Sequence, residues 1–232
     1  MFGIDPLYWM LMLPALALAG VAQLLVKFTF KKYSEIPCYS GLTGAQAAER
    51  MLRANGIFDV TIEQTEGFLS DHYDPTKKTL RLSPDVYRSN SLAAVGIACH
   101  EAGHAMQHAY NYVPLQLRTL LVPVTSISSN LAFYVFLAGA VLSIKALLLV
   151  GCVMFAMAFV FSVVTLPVEW DASARAKQHI VNAGVVSPMQ ENDAGKVLNA
   201  AFLTYLAAAI SSLMTLIYFL IRSGLLGDRR RD

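Results

Sequence analysis

Long uncharged stretches constrain this chain more than any other feature of it. Leu7–Val26 is twenty residues without a charge, residues 120–166 are forty-seven with one charge at Lys145, and Ala200–Ile221 is twenty-two with none. About twenty apolar residues in a helix cross a hydrocarbon core, so the middle stretch is long enough for two crossings with a turn near Ser143-Ile144-Lys145. The expected fold class is a mainly α, integral membrane protein with about four transmembrane helices. They fall at 1–30, in a hairpin over 119–166 (arms near 119–142 and 146–166), and at 199–222. A cleaved signal peptide competes for the first span, with small residues over Ala15–Ala19. The leading Met1–Asp5 carries no positive charge, however, and the apolar run passes straight through the would-be cleavage site. Pro123, Ser126, Ser128, Ser129 and Asn130 in the first hairpin arm imply a face turned to helices or water. Charged residues are 15% of the chain, against about a quarter in soluble domains. A net charge of +2 gives no nucleic-acid footprint. The three cysteines, Cys38, Cys99 and Cys152, are odd in number and far apart, so they form neither a disulfide framework nor a C-x-x-C pair.

Two polar segments interrupt the spans. Residues 31–118 form the longer one, expected as a lobe with a small β-sheet. Thr43 to Asn55 reads as an amphipathic helix with Thr43 as N-cap and Gly56 just past the end. Residues 59–64 and 79–83 alternate like strands, and Asp71–Lys78 between them is a turn signal. That strand pair would offer an edge on which an extended peptide can lie. Residues 167–198 form the second segment, with a helix from about Val168 to Asn182-Ala183-Gly184. Ser187-Pro188-Met189-Gln190 then reads as N-cap, N1 proline and capping-box Gln. Residues 223–232 are a basic tail. Four spans put both polar segments on one side, and with Lys27 they carry thirteen of the eighteen Lys and Arg residues. The bias places them in the cytoplasm, although the tail arginines Arg229, Arg230 and Arg231 pull the other way.

The chemistry is concentrated in Cys99-His100-Glu101-Ala102-Gly103-His104-Ala105, an H-E-x-x-H string. Ser89-Asn90-Ser91 supplies N-cap side chains ahead of it, and Leu92–Cys99 is apolar and helix-compatible but too short to span. In a helix, His100 and His104 share one face. Two imidazoles so placed can hold one zinc ion, with Glu101 beside it as a base towards a water. Cys99 points about 100° away and reads as packing. His108 continues the row, but eight residues of helix are about 12 Å, too far for the same ion; it is an ordinary helix residue or a second-shell or substrate group. His72 and Asp74 sit in the turn signal and read first as structural. His72, Tyr73 and Tyr110 are the available guesses for an oxyanion donor.

A catalytic zinc needs a third protein ligand and an open position. Glu169 is the leading candidate, because the hairpin returns the chain to the side it left. Asp171, Glu191 and Asp193 are the alternatives. Asp171 is equally suited to accept the second ring N–H of a ligating histidine, or to pair with Arg175.

The run His100–His108, the preceding Asp71-His72-Tyr73-Asp74-Pro75 and Leu80-Arg81-Leu82-Ser83, and Leu166–Ser173 resemble the bacterial YugP-type membrane zinc metallopeptidases over nearly the whole chain. That group is in turn similar to the HtpX and CAAX-prenyl-protease group, in which a later-helix Glu begins an E-x-x-x-D pattern. This chain has Ser173 where that Asp would fall and an Asp at 171 instead. The resemblance implies a gluzincin-like catalytic lobe, one Zn²⁺ held by His100, His104 and Glu169, and Glu101 as catalytic base. It implies a zinc-dependent endopeptidase in the bacterial cell (inner) membrane, acting on polypeptide substrates in or beside the lipid bilayer. Site-2-type intramembrane proteases also carry HExxH, but inside a span. The HEAGH string also resembles the protease part of FtsH, yet no G-x-x-x-x-G-K-[ST] loop exists here, so neither nucleotide nor nucleic acid is an expected partner. A non-proteolytic scaffold or quality-control adaptor with a structural zinc site is the alternative function.

Overall fold

The computed structural model describes residues 5–67 and 70–226. In chain order the elements are α1 (Pro6–Ser34), α2 (Gly44–Ala54), β1 (Thr61–Gln64), β2 (His72–Asp74), β3 (Thr79–Leu82), α3 (Pro84–Tyr87), α4 (Leu92–Ala109), α5 (Val113–Leu142), α6 (Lys145–Ile180) and α7 (Glu191–Arg222). The chain is mainly helical, and α1, α5, α6 and α7 are long and apolar enough to cross a membrane. The basic tail beyond Leu226 and the residues before Asp5, on which part of the orientation argument rests, lie outside the described residues.

The chain divides into two compact units. The first takes the described parts of 1–21, 117–166 and 204–232. Its buried centre is Met12, Phe136, Cys152, Tyr218 and Phe219. The hairpin closes at Ser143, which adopts a left-handed φ of 56°. Its arms touch through glycine: a Cβ on Gly139 would meet Leu148 N at 2.6 Å, and one on Gly151 would meet Phe136 Cβ at 2.7 Å. Small residues let helix backbones approach in this way where lipid supplies no hydrophobic drive. Asp5 accepts hydrogen bonds from the Leu7 N–H, the Tyr218 hydroxyl and Arg222.

The second unit, residues 22–116 and 167–203, holds the polar segments. Its axis is α4, which is buried almost all round from Leu92 to Gln107. A helix apolar on every side belongs in the middle of a fold. Ser91 caps it, accepting from Ala94 N. Around it pack Ala47, Ala48, Met51 and Leu52 of α2, Leu80 and Leu82 of β3, and Ala176 and Ile180 of α6. Thr43 caps α2 as expected, in a full capping box with Gln46. The sheet order is β1-β3-β2, with β1 parallel and β2 antiparallel to β3, Tyr73 opposite Leu80.

The structure departs from the sequence reading at four places. The turn signal at 71–78 is half strand: His72–Asp74 forms β2, giving a three-stranded sheet and not a pair. Asp74 then closes the turn by accepting from the Thr76 hydroxyl, and with Arg81 and the Lys77 and Thr76 N–H groups this holds its carboxyl well below the usual range. The expected break after Leu166 is missing. α6 runs unbroken through Pro167: the polarity change leaves the helical ladder intact, and neither the lost donor nor the ring's crowding of the carbonyl four residues back ends the helix. α5 and α7 begin earlier than their apolar stretches, at Val113 and Glu191. The Ser187 capping box does not form. Gln190 instead donates to Pro37 O at 3.0 Å and accepts from Tyr39 N at 2.9 Å, and Ser187 Oγ is buried without a hydrogen bond.

Gly44 opens α2 where a Cβ would lie 2.2 Å from Val86 O, a backbone atom that cannot rotate away. Gly44→Ala is expected to cost about 1–3 kcal/mol, read as a lower unfolding midpoint of the detergent-solubilised protein.

Candidate metal centre

Residues 92–109 form one helix, so His100 and His104 stack on one face, their ring centroids 4.8 Å apart and edge to face. What meets that face is α6. At the crossing stands Gly103, where a Cβ would be 2.4 Å from Ala172 O. Any larger residue would hold the helices apart. Glu169 lies one turn before Ala172, and its side chain, 1% exposed, is aimed at both rings. Glu169 Oε2 is 3.1 Å from His100 Nε2 and 3.5 Å from His104 Nε2.

Those distances test the metal expectation. Two atoms each about 2.0–2.1 Å from one tetrahedral ion stand about 3.3 Å apart. The observed pair brackets that value, and one donor atom from each of the three residues fits within 4.8 Å of the others. Two imidazole nitrogens and a carboxylate are a donor set suited to zinc. A buried carboxylate is also costly unless a cation or donors compensate it. The three residues therefore fit a zinc ion.

The rings are also held from behind. Ser173 Oγ lies 3.1 Å from His100 Nδ1, and Gln107 Oε1 lies 3.0 Å from His104 Nδ1. Gln107, fully buried, donates through Nε2 to Val168 O at 2.7 Å and to Asp171 Oδ2 at 2.9 Å. Asp171 is also paired with Arg175, whose guanidinium lies over the rings of Tyr110 and Tyr112. Asp171, read from sequence as a partner of a ligating histidine, thus enters the site through Gln107.

Glu101 is buried next to His100 on the same helix. Asp71 lies near enough to feel its charge. Burial pushes the Asp71 carboxyl above the ordinary range and the Glu101 charge adds to this, while the Ser83 N–H and hydroxyl oppose it. The remaining sequence candidates are placed elsewhere. His108 Nδ1 meets the Tyr73 hydroxyl at 2.8 Å, and burial raises that phenol to about 12. His72 is exposed with its Nδ1 on Ser70 O. The Tyr110 hydroxyl donates to Asn55 O. Asp193 accepts from Tyr33 and Lys196, and Glu191 is exposed at the start of α7.

Sequence reasoning missed Gln107 and Ser173 as ring partners, and Gly103 as the contact point. A signal existed for the first two: Gln107 is three residues past His104, Ser173 four past Glu169, so each shares a helix face with a site residue.

Residues 8–224 match a family model described as "Putative neutral zinc metallopeptidase". The chain is also similar to the "Putative membrane protease YugP" of Bacillus subtilis (strain 168), 45% identical over 215 residues, covering 93% of this chain and 96% of that protein. No solved structure matches.

If the Gly103 contact sets the donor spacing, Gly103→Ala should weaken zinc binding, measured by chelator competition, with helix content by circular dichroism unchanged. Gly96→Ala is the control on the same helix, since its Cβ would have 3.7 Å to Val197. It should bind zinc like the unaltered protein.

Proposed function

Because this chain belongs to the neutral zinc metallopeptidase family, we propose that it is a membrane-bound zinc endopeptidase of the HExxH-plus-Glu, gluzincin type. The observation that carries the reading is the convergence of His100 Nε2 and His104 Nε2 on Glu169 Oε2 at 3.1 and 3.5 Å, with Glu101 buried beside them. His100, His104 and Glu169 would hold a single ion. When bound, zinc supplies Lewis acidity, bringing the pKa of a water towards about 7 and polarising a carbonyl.

The chain's own residues do the rest. Glu101 accepts the proton of the attacking water and passes it to the leaving amine. Its burial limits competition from bulk water for that proton. Ser173 and Gln107 keep both imidazoles turned with Nε2 towards Glu169. β2 is an outer strand of the sheet, with Tyr73 tied to His108 of α4, and an extended polypeptide pairing with it would lie beside the helix that carries the histidines.

Connectivity supports a substrate class. Glu169 comes three positions after Leu166, where the apolar stretch of α6 ends. The scissile bond would then belong to a membrane protein or to a segment close to the bilayer. The bias of Lys and Arg supports a cytoplasmic site in a bacterial cell membrane.

Glu101→Gln should retain zinc and lose peptide hydrolysis by about 10²–10⁴-fold, the usual contribution of a positioned base. His100→Ala should lose the zinc itself. Unchanged turnover in the Gln variant, assayed on a quenched membrane-protein substrate in liposomes, would refute the role of Glu101.

A further inference from the structure

We infer that Gln107 is a positioning residue that fixes the tautomer of His104, acting as a polarity relay anchored on α6. An amide side chain has one accepting end and one donating end. At the far end of Gln107 stand two groups that can only accept: the Val168 carbonyl at 2.7 Å and the Asp171 carboxylate at 2.9 Å. Asp171 meets Arg175 through both oxygens, and Arg175 is flanked by Tyr110 and Tyr112. Two acceptors leave one orientation for the amide, with Nε2 towards α6. The Oε1 end must then face the ring, and at 3.0 Å it accepts from His104 Nδ1. In the neutral ring Nδ1 therefore carries the proton, and Nε2 keeps its lone pair although an acceptor, Glu169 Oε2, faces it at the longer distance of 3.5 Å. Free imidazole in water prefers the opposite tautomer, with the proton on Nε2. The relay reverses that preference before any ion arrives.

Ser173 cannot do the same for His100. A hydroxyl can turn to donate or accept, so its 3.1 Å contact with Nδ1 is satisfied by either tautomer. The two ligating rings are thus held differently: one has its proton dictated by a buried amide, the other adapts. Gln107 is 0% exposed and has both ends of its amide engaged, so no solvent contact competes for this orientation.

This inference rests on reading His104 as a zinc ligand, but its first test needs no zinc. Metal-free protein labelled with ¹⁵N-histidine, in detergent above the imidazole titration range, reports the protonated nitrogen of each ring by long-range ¹H–¹⁵N correlation. The His104 signal is the one lost in His104→Ala. The expected result is a proton on Nδ1 of His104 in the unaltered protein; a proton on Nε2 overturns the proposal, whatever the protein's activity. Gln107→Met, similar in size but without the amide, should release the ring towards Nε2–H and weaken zinc binding by about 10–100-fold. A Met variant with the unaltered tautomer and zinc affinity also overturns it. If instead His104→Ala binds zinc undiminished, the metal-centre reading fails, while the tautomer result still stands or falls by itself.

Discussion

The centre depends on one backbone contact, where α4 presents Gly103 to the Ala172 carbonyl of α6. Hydrogen in place of a methyl lets two helices come closer there than side chains allow elsewhere, since a Cβ would be 2.4 Å from that oxygen. Everything that bridges the helices scales with this approach. The Glu169 contacts at 3.1 and 3.5 Å, the Ser173 contact at 3.1 Å and the Gln107 contact to Val168 at 2.7 Å all cross the same gap. An ångström of extra separation would stretch all of them beyond hydrogen-bond range together. Such a site is set by packing, not by the flexibility of its side chains.

Packing of this kind explains why polar groups occupy the middle of an apolar core. Glu169, Gln107, Glu101 and His104 are all buried on or against the helix that forms the core of their unit. Burying an ionised carboxylate costs several kcal/mol unless opposite charge and donors face it. From His104 outward the polar groups form a chain: ring to amide, amide to carboxylate, carboxylate to guanidinium, guanidinium to two aromatic faces. A chain of satisfied groups can be rigid where a single buried charge would invite water or rearrangement.

How much of this the sequence reveals follows the range of the interactions involved. Spacing within one helix is local, so the His100 and His104 pair, the Ser91 and Thr43 caps and the four long apolar helices can be read directly. Glu169 is legible for a topological reason, since a hairpin must bring the chain back. The partners of Gln107 lie 61 and 64 positions away, and no local pattern announces them. Tertiary contacts also override local signals. Gln190 has the sequence of a capping residue, but Pro37 and Tyr39, about 150 positions earlier, claim its amide. β2 is only three residues long, too short for a period of two to show. Pro167 and the change of polarity resemble a boundary, yet the helix goes on.

That continuity matters for the site. Glu169, Ala172, Ser173 and Ala176 recur at intervals of three and four, the rhythm of one helix face. Asp171 and Arg175 sit about 100° and more away on the same turns, where they can hold Gln107 from the side. A break at Pro167 would have left Glu169 at a frayed helix start, with its first backbone donors unpaired and its side-chain direction set by a loop. In an unbroken helix its direction is fixed by its neighbours in both directions. A register shift of one residue would turn Glu169 about 100° away from both rings and bring Val168 or Trp170 to face them instead. The unbroken helix and the glycine contact therefore act as a pair: one fixes rotation, the other separation, and the three candidate ligand atoms can converge only when both are set.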